Sequence, residues 1–325
     1  MNTGFVILSS DEAALLEPAL EMALAEGFDQ GLVVDNASTD GTAALGERLG
    51  LPVLSLPARV PYTEAMNAGL HELATTGVDA IAMLQADTFV ARGYLAAGIA
   101  AFGADVRIGS VAPKLIRTEG PEEGAQLQLL DAAAMSFDRR RKNSLVGHGS
   151  PASGYSAAGA VFGADGAAAL WRTAALTDCA VDGNVFDENM PGWGCDADLA
   201  WRAQLYGWRC VYEPAAIVHH IRTYSPTTRA AAKPADRRTQ FRNRLLMIVK
   251  NDMPRDLLRD LLPLASYELA ALGYALLVER ELLGGYREAW ERLPETRRQR
   301  RLIRAKRIVR RAPFGLLPPS GERPQ

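Results

Sequence analysis

The stretch that indicates the fold is Val33-Val34-Asp35-Asn36-Ala37-Ser38-Thr39-Asp40-Gly41-Thr42, in which an apolar run gives way to short polar residues. Two β-branched residues are typical of a strand, and the serine, threonine and aspartate after them are residue types that cap the N-terminus of a helix. We therefore predict a strand that ends near Asp35 and a helix that begins at Thr42. Asp35 would stand where the chain leaves a sheet, in a position to accept hydrogen bonds from a base or a ribose. A plain strand–helix turn with a good cap explains the same residues.

The same alternation of strand and helix extends through the first hundred residues. It predicts a parallel sheet that is covered by helices on both faces. Ligands of such sheets bind beyond the carboxyl ends of the strands, so the polar residues just after each strand are the first candidates for function. The predicted strands are 5–8, 31–34, 53–56 and 80–84, and the predicted helices are 12–26, 42–49 and 62–74.

Beyond residue 103 the pattern is looser and the prediction is coarser. Residues 139–143 form a basic cluster that we expect at a turn or loop. The composition changes after Pro226, and the remainder is predicted to be helical. The predicted elements are strands at 111–116 and 208–212 and helices at 166–175, 196–206, 237–249 and 255–293.

Composition excludes several classes of protein. The 325-residue chain has a formal net charge of −2, which indicates no polyanionic partner such as a nucleic acid. Its three cysteines lack CxxC spacing, so we expect neither a disulfide framework nor a zinc site. The N-terminus has no basic segment or cleavage site, and we expect a cytoplasmic protein without a signal peptide. A dinucleotide-binding G-x-G-x-x-G after the first strand, a P-loop and a G-x-S-x-G nucleophile motif are all missing.

A second strand end carries a candidate metal ligand. In Gln85-Ala86-Asp87 a predicted buried strand is followed by a carboxylate. Asp87 could ligate a hard divalent cation, which takes oxygen ligands and bridges phosphates. Many strands end in aspartate, so this segment is weak on its own.

A third segment joins a glycine-rich loop to a predicted helix. Gly192-Trp193-Gly194 precedes Asp196, which falls in the first helical turn, where the helix dipole favours an ionised carboxylate. Such a carboxylate suits a general base, and the glycines and Trp193 indicate a shaped pocket. Asp198 and Arg202 are four residues apart and could pair along the helix. In the alternative interpretation, both acids only complement the N-terminus of the helix.

A fourth segment, Glu213 to His220, ends an apolar strand with the pair His219-His220. Imidazole is a frequent metal ligand, although a single histidine at such a position is more often structural. Together with Asp87, the pair favours a metal site. Which of the two histidines is the ligand stays open, and we favour His220.

The four segments, in this order, resemble glycosyltransferase family 2, and within it the bacterial rhamnosyltransferase-like members. The resemblance covers roughly residues 4 to 250. Residues 35–42 resemble the family segment DN-S-DGT, residues 65–69 resemble A-x-N-x-G, residues 85–87 occupy the place of D-x-D, residues 159–162 resemble G-a-x-x, residues 186–188 with 195–202 resemble FDE … ED-x-DL-x-R, and residues 212–220 resemble Y-x-P … H.

The resemblance implies a GT-A nucleotide-sugar-binding fold, with a mixed, mostly parallel central sheet, and an inverting transfer. The donor would be a nucleoside-diphosphate sugar, the acceptor a saccharide or a lipid-linked hydroxyl, and the cofactor Mg²⁺ or Mn²⁺. A hexosyl transfer in cell-surface polysaccharide synthesis, with rhamnose as the sugar, fits the resemblance. The implied donor site comprises Ser9, Asp35, Asn36, Arg59, Asn67, Gln85 and Asp87; the acceptor pocket Gly159, Trp193 and Asp198; the base Asp196; and the metal ligands Asp87 with His220 or His219.

The chain departs from the family pattern at four positions. Gln85 replaces the first acid of D-x-D, Cys195 replaces the glutamate before Asp196, and Arg59 and Pro61 stand where the family often has asparagine and glycine. Arg59 could contact the diphosphate or be an ordinary surface residue. The first two changes keep open an alternative function, in which the chain binds nucleotide sugars or acts as a scaffold without catalysis.

The sequence is expected to form two units, a GT-A domain at residues 1–250 and a helical extension at residues 251–325. The extension contains Leu261 to Val278, an apolar stretch whose one acid is Glu268, and a basic run from Arg297 to Arg311. Pro263 and Glu268 argue against a membrane span. A homodimer through these helices and attachment to the inner face of a membrane are the two uses that we predict for them.

Overall fold

A computed structural model of the chain describes residues 1–122, 124–222 and 232–317. The change in composition after Pro226 and the last residues of the predicted extension, 318–325, lie outside this part of the chain. The N-terminal alternation of strands and helices is confirmed, with β1, β2, β3 and β4 pairing in parallel. The elements are β1 (Thr3–Ser9), α1 (Ala13–Ala25), β2 (Gln30–Asp35), α2 (Thr42–Arg48), β3 (Val53–Ser55), α3 (Tyr62–Ala74) and β4 (Ala80–Gln85).

The following segment completes a mixed sheet. Along its main path the strand order is β10-β12-β6-β11-β4-β1-β2-β3, with β5 and β7 paired to β12 and β6. Strand β12 runs parallel to β6, whereas β11 is antiparallel to both of its neighbours. The elements are β5 (Thr88–Val90), α4 (Tyr94–Gly103), β6 (Ile108–Thr118), β7 (Gln126–Ala132), β8 (Ala134–Phe137), β9 (Asn143–Val146), β10 (Gly159–Val161), β11 (Ala168–Arg172), α5 (Thr173–Cys179), α6 (Cys195–Leu205) and β12 (Arg209–His220).

The sheet is buried on both faces. In β1, Val6 and Leu8 belong to one apolar cluster, and Phe5 and Ile7 belong to the other. This division follows from the alternation of side chains along a strand. The first cluster includes residues of α3, α5 and α6, and the second includes residues of α1, α2 and α4. Burial on both faces explains why the central strands are continuous apolar runs rather than alternating ones.

Two predictions beyond residue 103 are wrong. Residues 168–172, predicted to be helical, form β11, and only Thr173–Cys179 is helix. The run Ala168-Ala169-Leu170-Trp171 is buried on both sides, and a short apolar run of this kind is compatible with either a buried helix or a buried strand. The predicted helix at 255–293 is divided into α8 (Pro254–Arg259), α9 (Leu261–Leu277) and α10 (Leu282–Lys306).

The C-terminal helices pack against the sheet domain. Helix α7 (Pro234–Asn251) crosses the boundary expected at residue 250, and α10 packs along it. The lysine and asparagine at the end of α7 reach a carboxylate of α6: Lys250 Nζ lies 2.8 Å from Asp198 Oδ2, and Asn251 Nδ2 lies 2.7 Å from Oδ1. In the part of the chain that the structure describes, no helix is both long enough and apolar enough to cross a bilayer.

The basic cluster at residues 139–143 lies at the hairpin turn between β8 and β9, as expected of a turn. One member is buried completely. Arg141 Nε lies 2.7 Å from Asp252 Oδ2, Arg141 Nη1 lies 2.8 Å from Asp260 Oδ2, and the guanidinium stacks 4.1 Å from the ring centroid of Phe314. Asp252 lies just before α8 and Asp260 just before α9, so this buried ion cluster joins the hairpin to the starts of both helices.

Replacing Arg141 tests how strongly this cluster holds the extension. Arg141→Ala leaves two buried carboxylates without their shared cation, and we expect the free energy of unfolding to fall by about 3–5 kcal/mol. The matched control is Arg140→Ala, because Arg140 is half exposed and pairs with the partly exposed Asp138. That variant should change stability by less than about 1 kcal/mol. Equal losses in urea denaturation of the two variants would contradict this account.

Candidate active site

The carboxyl ends of β1, β2, β4, β6 and β12 meet at one edge of the sheet, because these strands all point in the same direction. Two adjoining cavities open there among the described residues. The Asp196 cavity, of about 330 Å³, is bounded by the loop before β11, the loop before α6 and the end of β12. The Asn36 cavity, of about 310 Å³, is bounded by the segments after β1, β2 and β3. Tyr62, Gln85 and Asp87 line both cavities and form their common wall.

The Asn36 cavity brings together four of the predicted donor-site residues, namely Asn36, Arg59, Gln85 and Asp87. The amide of Asn36 donates to the carbonyl of Val60 and accepts from its N–H, both at 2.9 Å. This pair of bonds fixes the loop after β3. Arg59 is held at the mouth by Asp11, with Nη2 2.6 Å from Oδ2, and its Nε donates to the carbonyl of Asn36.

Three other predicted donor-site residues, Ser9, Asp35 and Asn67, line neither cavity. Ser9 Oγ is buried, 3.2 Å from Thr42 Oγ1. Asp35 is 5% exposed, and its Oδ1 accepts from the N–H of Ser38 at 2.9 Å. Asn67 is buried and holds the backbone of Phe186, accepting from its N–H at 2.8 Å and donating to its carbonyl at 2.9 Å. Their contacts support the walls of the cavity.

Asp87 lies in the turn between β4 and β5, next to the end of β12. Its Oδ2 is 3.6 Å from His220 Nε2, while its buried Oδ1 has no hydrogen-bond partner among the described residues. His220 Nδ1 lies 2.8 Å from Asp131 Oδ2. Burial by itself would lower the pKa of His220, but the carboxylates of Asp131 and Asp87 outweigh burial and raise it to about 9.

The two histidines point to opposite sides of β12, as neighbours in a strand must. His220 lines the Asp196 cavity, and His219 lines neither cavity. His219 pairs across the sheet with Phe89, and burial lowers its pKa. The structure thus brings His220, and not His219, together with Asp87.

Two residues of this site were not predicted from the sequence. Asp131 is fully buried in β7, and Arg222 follows β12 and lines the Asp196 cavity. Arg222 Nε lies 2.7 Å from both oxygens of Asp131, and its Nη2 lies 2.9 Å from Asp165 Oδ2. The available signals were faint: a single acid within the apolar run 129–134, and an arginine two residues after the histidine pair.

Asp196 lines the cavity from the first turn of α6. Gly192 and Gly194 before it have φ of 77° and 83°, which favour glycine, and Gly194 caps the helix. The N–H of Ala197 donates to Oδ1 at 2.8 Å, and the N–H of Gly166 donates to Oδ2 at 3.2 Å. A Cβ atom on Gly166 would lie 3.2 Å from the Asp196 Cβ, a tight contact, so a larger residue there would require a small shift of Asp196. Burial, and next the charge of Asp165, raise the pKa of Asp196 to about 6.

Of the three predicted acceptor-pocket residues, only Trp193 lines a cavity. Trp193 lines the Asp196 cavity with 37% of its surface exposed, and Asn243 of α7 donates to its carbonyl at 2.8 Å. Gly159 lies in β10, opposite Tyr212, and lines neither cavity. Asp198 also lines neither cavity: it is fully buried, and Arg202, Lys250 and Asn251 take up its two oxygens. The structure does not bring Asp198 to the pocket, because its charge is paired inside the protein.

The residues present fit a divalent cation only in part. Among the described residues, no group of three or more His, Cys, Asp and Glu side chains is arranged to hold a metal. Asp87 and His220 supply two converging ligands, and the unpaired Oδ1 of Asp87 is available to a cation. Mg²⁺ is typically bound through one or two carboxylates together with the phosphates of a substrate. The pair therefore suits a cation that a phosphorylated ligand helps to hold.

Comparison with known proteins identifies the fold. No protein-family profile and no curated protein sequence matches the chain. GalNAc-T7, solved with UDP, GalNAc and Mn²⁺, superposes with a TM-score of 0.59 at 13% identity over 77% of this chain, which spans 48% of that one. The mannosyltransferase PcManGT from Pyrobaculum calidifontis, in complex with GDP-Man and Mn²⁺, gives 0.51 at 17% identity over 91% of this chain and 75% of that one.

Residues 1–349 of TarS from S. aureus, in complex with UDP-GlcNAc, superpose with a TM-score of 0.55 at 15% identity, over 94% of this chain and 88% of that one. The expected α/β class, with a GT-A fold and C-terminal helices, is thereby confirmed. Identities this low establish the fold alone.

The pKa of Asp196 can be tested directly. Asp165, Arg222, Tyr62 and Cys195 are the titratable groups that face it. Asp165→Asn removes the negative charge that raises the pKa and leaves the charge of Arg222, which lowers it. We therefore expect the pKa of Asp196, about 6 in the native protein, to fall, as measured by carboxyl ¹³C NMR titration. The conservative variant Asp165→Glu should retain the raised value, and an unchanged pKa in Asp165→Asn would refute the electrostatic cause.

Proposed function

We propose that this protein is a metal-dependent glycosyltransferase that moves a sugar from a nucleoside-diphosphate sugar to a hydroxyl of a saccharide or lipid-linked acceptor, with inversion. The observation that carries the proposal is the common wall between the two cavities. Asp87 lies on that wall beside His220, and Asp196 lines one of the two cavities. A donor that occupies the Asn36 cavity would present its diphosphate at the wall and its sugar to the second cavity.

The donor side would work as follows. The nucleoside would lie in the Asn36 cavity, where the fixed loop around Asn36 and Val60 and the guanidinium of Arg59 offer polar contacts. The diphosphate would lie against Asp87 and His220, within reach of Arg222. A Mg²⁺ or Mn²⁺ held by Asp87 and His220 would neutralise the charge that develops on the leaving group. That both GalNAc-T7 and PcManGT were solved with Mn²⁺ supports this choice of cofactor.

The acceptor side would depend on Asp196. Its pKa of about 6 keeps it largely ionised at neutral pH yet basic enough to take a proton. In a single displacement the acceptor oxygen bonds to the anomeric carbon as the bond from that carbon to the diphosphate breaks. The hydroxyl proton passes to an oxygen of Asp196. Two backbone N–H groups orient this carboxylate, and Trp193 lines the same cavity as part of the proposed acceptor pocket.

The two departures from the family pattern bear on the alternative of a non-catalytic protein. Gln85 faces both cavities, and its Nε2 lies 3.4 Å from the carbonyl of Gly166, so it spans from the wall to the turn beside Asp196. Cys195 is buried, and burial raises the pKa of its thiol. Neither side chain supplies a charge. Binding of the cation would therefore depend on Asp87 and His220. Without these two ligands, the protein would bind the donor but would not transfer its sugar.

We further propose that the protein belongs to glycosyltransferase family 2, has a rhamnosyltransferase-like specificity and takes part in cell-surface polysaccharide synthesis. The support for them is the ordered set of segments quoted above. We also infer two units, with a catalytic domain at residues 1–250 and an extension at 251–325, which the buried ion pairs of Arg141 with Asp252 and Asp260 join.

Release of nucleoside diphosphate from a panel of nucleotide sugars tests this function. With candidate saccharide or lipid-linked acceptors and Mn²⁺ or Mg²⁺, we expect release from one donor and none in EDTA. Asp196→Asn removes the base and should lower kcat about 10²- to 10⁴-fold while donor binding persists. The matched control Glu21→Gln changes an exposed carboxylate of α1 and should be silent. Donor binding without turnover across the acceptors would favour the non-catalytic alternative, and full activity of Asp196→Asn would exclude it as the base.

Helix α9 supports attachment to a membrane surface. Its buried residues are Leu264 and Ala275, and its acid Glu268 turns inward to Arg244 at 2.7 Å. The outward side is apolar except for Ser266. Exposed Leu261 and Leu277 lie roughly 160° apart around the axis, since each residue advances about 100°. Such a broad arc suits a helix that lies in a bilayer interface better than the narrow seam of a paired helix.

The charges around α9 indicate which surface it would meet. Arg255 and Arg280 are exposed near its two ends, with Glu281 as an exposed acid next to Arg280, and Arg140 lies beside the helix, 5.6 Å from the ring centroid of Tyr267. Anionic lipids of a cytoplasmic leaflet attract such side chains by about 1 kcal/mol each. We infer that α9 attaches the protein to the inner face of an anionic membrane, where a lipid-linked acceptor would be presented. The alternative is a homodimer, in which a second copy of the chain covers the apolar side of α9.

Sedimentation with vesicles separates the two occupants. We expect the native protein to bind phosphatidylserine vesicles at low salt and to bind phosphatidylcholine vesicles weakly. Leu262→Glu combined with Leu269→Glu should reduce binding at least about tenfold, because two apolar side chains no longer enter the bilayer. Val106→Glu, at an exposed apolar residue outside α9, is the control. A stable dimer that these changes dissociate, with no vesicle binding, would refute the membrane proposal.

A further inference from the structure

The buried carboxylate of Asp131 connects the two halves of the site. We propose that Asp131 is a positioning residue that holds His220 against Asp87 and, through Arg222, holds the turn that supports Asp196. The inference depends on the proposed function for its consequence, since it concerns the residues that would bind the metal and the acceptor. Asp131 and Arg222 both lie outside the segments that resemble the family.

A local irregularity of the sheet directs Asp131 toward this role. In the pairing of β6 with β7, Leu115 is opposite Ala132 and Ile116 is opposite Leu130. Asp131 is therefore an extra residue with no partner in the ladder, which is the arrangement of a β-bulge. Bulges of this kind change the direction of a side chain and are frequent beside active sites. Here the redirected side chain faces the end of β12.

Both oxygens of Asp131 are paired. Oδ2 accepts from His220 Nδ1 at 2.8 Å, and Arg222 Nε lies 2.7 Å from each oxygen. His148 stands on the other side, with Nδ1 2.8 Å from the carbonyl oxygen of Asp131 and 3.5 Å from Oδ1. A carboxylate that is fully buried requires such compensation. Asp131 lines neither cavity, so its effect on a ligand must pass through the residues that it holds.

The first effect is on His220. Because its Nδ1 points to Asp131, its Nε2 faces Asp87 at 3.6 Å, which is too long for a direct hydrogen bond and leaves room for both groups to bind one cation. A carboxylate behind a histidine ligand fixes the orientation of the ring and increases its basicity. Without Asp131, the ring would lose the contact that selects this orientation.

The second effect reaches the acceptor side. Arg222 extends from Asp131 to Asp165, where its Nη2 lies 2.9 Å from Oδ2. Asp165 Oδ1 accepts from the N–H of Ala167, and between them Gly166 donates to Asp196. The chain of contacts is continuous from the donor-side histidine to the base. One buried carboxylate thus orders both sides of the reaction.

Binding of Mn²⁺ measures this role without turnover. Electron paramagnetic resonance of Mn²⁺, with UDP, GDP or dTDP as the accompanying nucleotide, gives its affinity for the native protein and for Asp131→Asn. We expect the affinity of Asp131→Asn to fall about 10- to 100-fold, as for other carboxylates behind a metal-binding histidine. His148→Gln is the matched control, because it also removes a neighbour of Asp131 but leaves His220 held, and it should retain the affinity of the native protein.

Proton NMR of the metal-free protein gives a second readout. The Nδ1–H of His220, bonded to a buried carboxylate, should give a low-field, slowly exchanging signal that persists in His148→Gln and is lost in Asp131→Asn. If the native protein shows this signal but no nucleotide-supported Mn²⁺ binding, the metal part of the proposed function fails and the positioning stands. Absence of the signal in the native protein, or native Mn²⁺ affinity in a folded Asp131→Asn, would overturn the inference.

Discussion

The parallel pairing of β12 with β6 is the constraint on which the site depends. It places the end of β12 at the same edge of the sheet as the ends of β1, β2 and β4, and antiparallel pairing with β5 sets His220 opposite Thr88, next to Asp87. The histidine and the aspartate are far apart in the chain, and the sheet alone brings them together. Antiparallel β11, between β4 and β6, supplies the turn at Gly166 that supports Asp196.

Two aspartates of α6 that are close in sequence serve different purposes because the helix separates them. Asp196 faces the cavity from the first turn, with a pKa raised to about 6. Asp198 points into the protein, where Arg202, Lys250 and Asn251 compensate its charge. A buried charge of this kind is stabilised only when it is paired, so the partners from α7 belong to the same structural unit as α6.

The C-terminal helices also contribute to the cavity. Asn243 of α7 donates to the carbonyls of Pro191 and Trp193 and so fixes the loop that carries the exposed tryptophan. Arg141, Asp252 and Asp260 join a hairpin of the sheet domain to the beginning of the extension. Helix α7 itself ends at Asn251, one residue past the predicted domain boundary at residue 250.

The sequence by itself determined the local features of this protein. The alternation of apolar runs and helical patterns predicted β1 to β4 and α1 to α3. Polar residues at strand ends indicated Asn36, Asp87 and His220, and the glycine-rich loop before α6 indicated Asp196; all four line the cavities. Tertiary structure decided what depends on distant neighbours: that Ala168–Arg172 is a strand, that Asp198 is paired internally, and that Asp131 and Arg222 belong to the site. The physical reason is that periodicity reports the environment along one element, whereas the partner of a buried charge comes from another element and leaves no periodic signal.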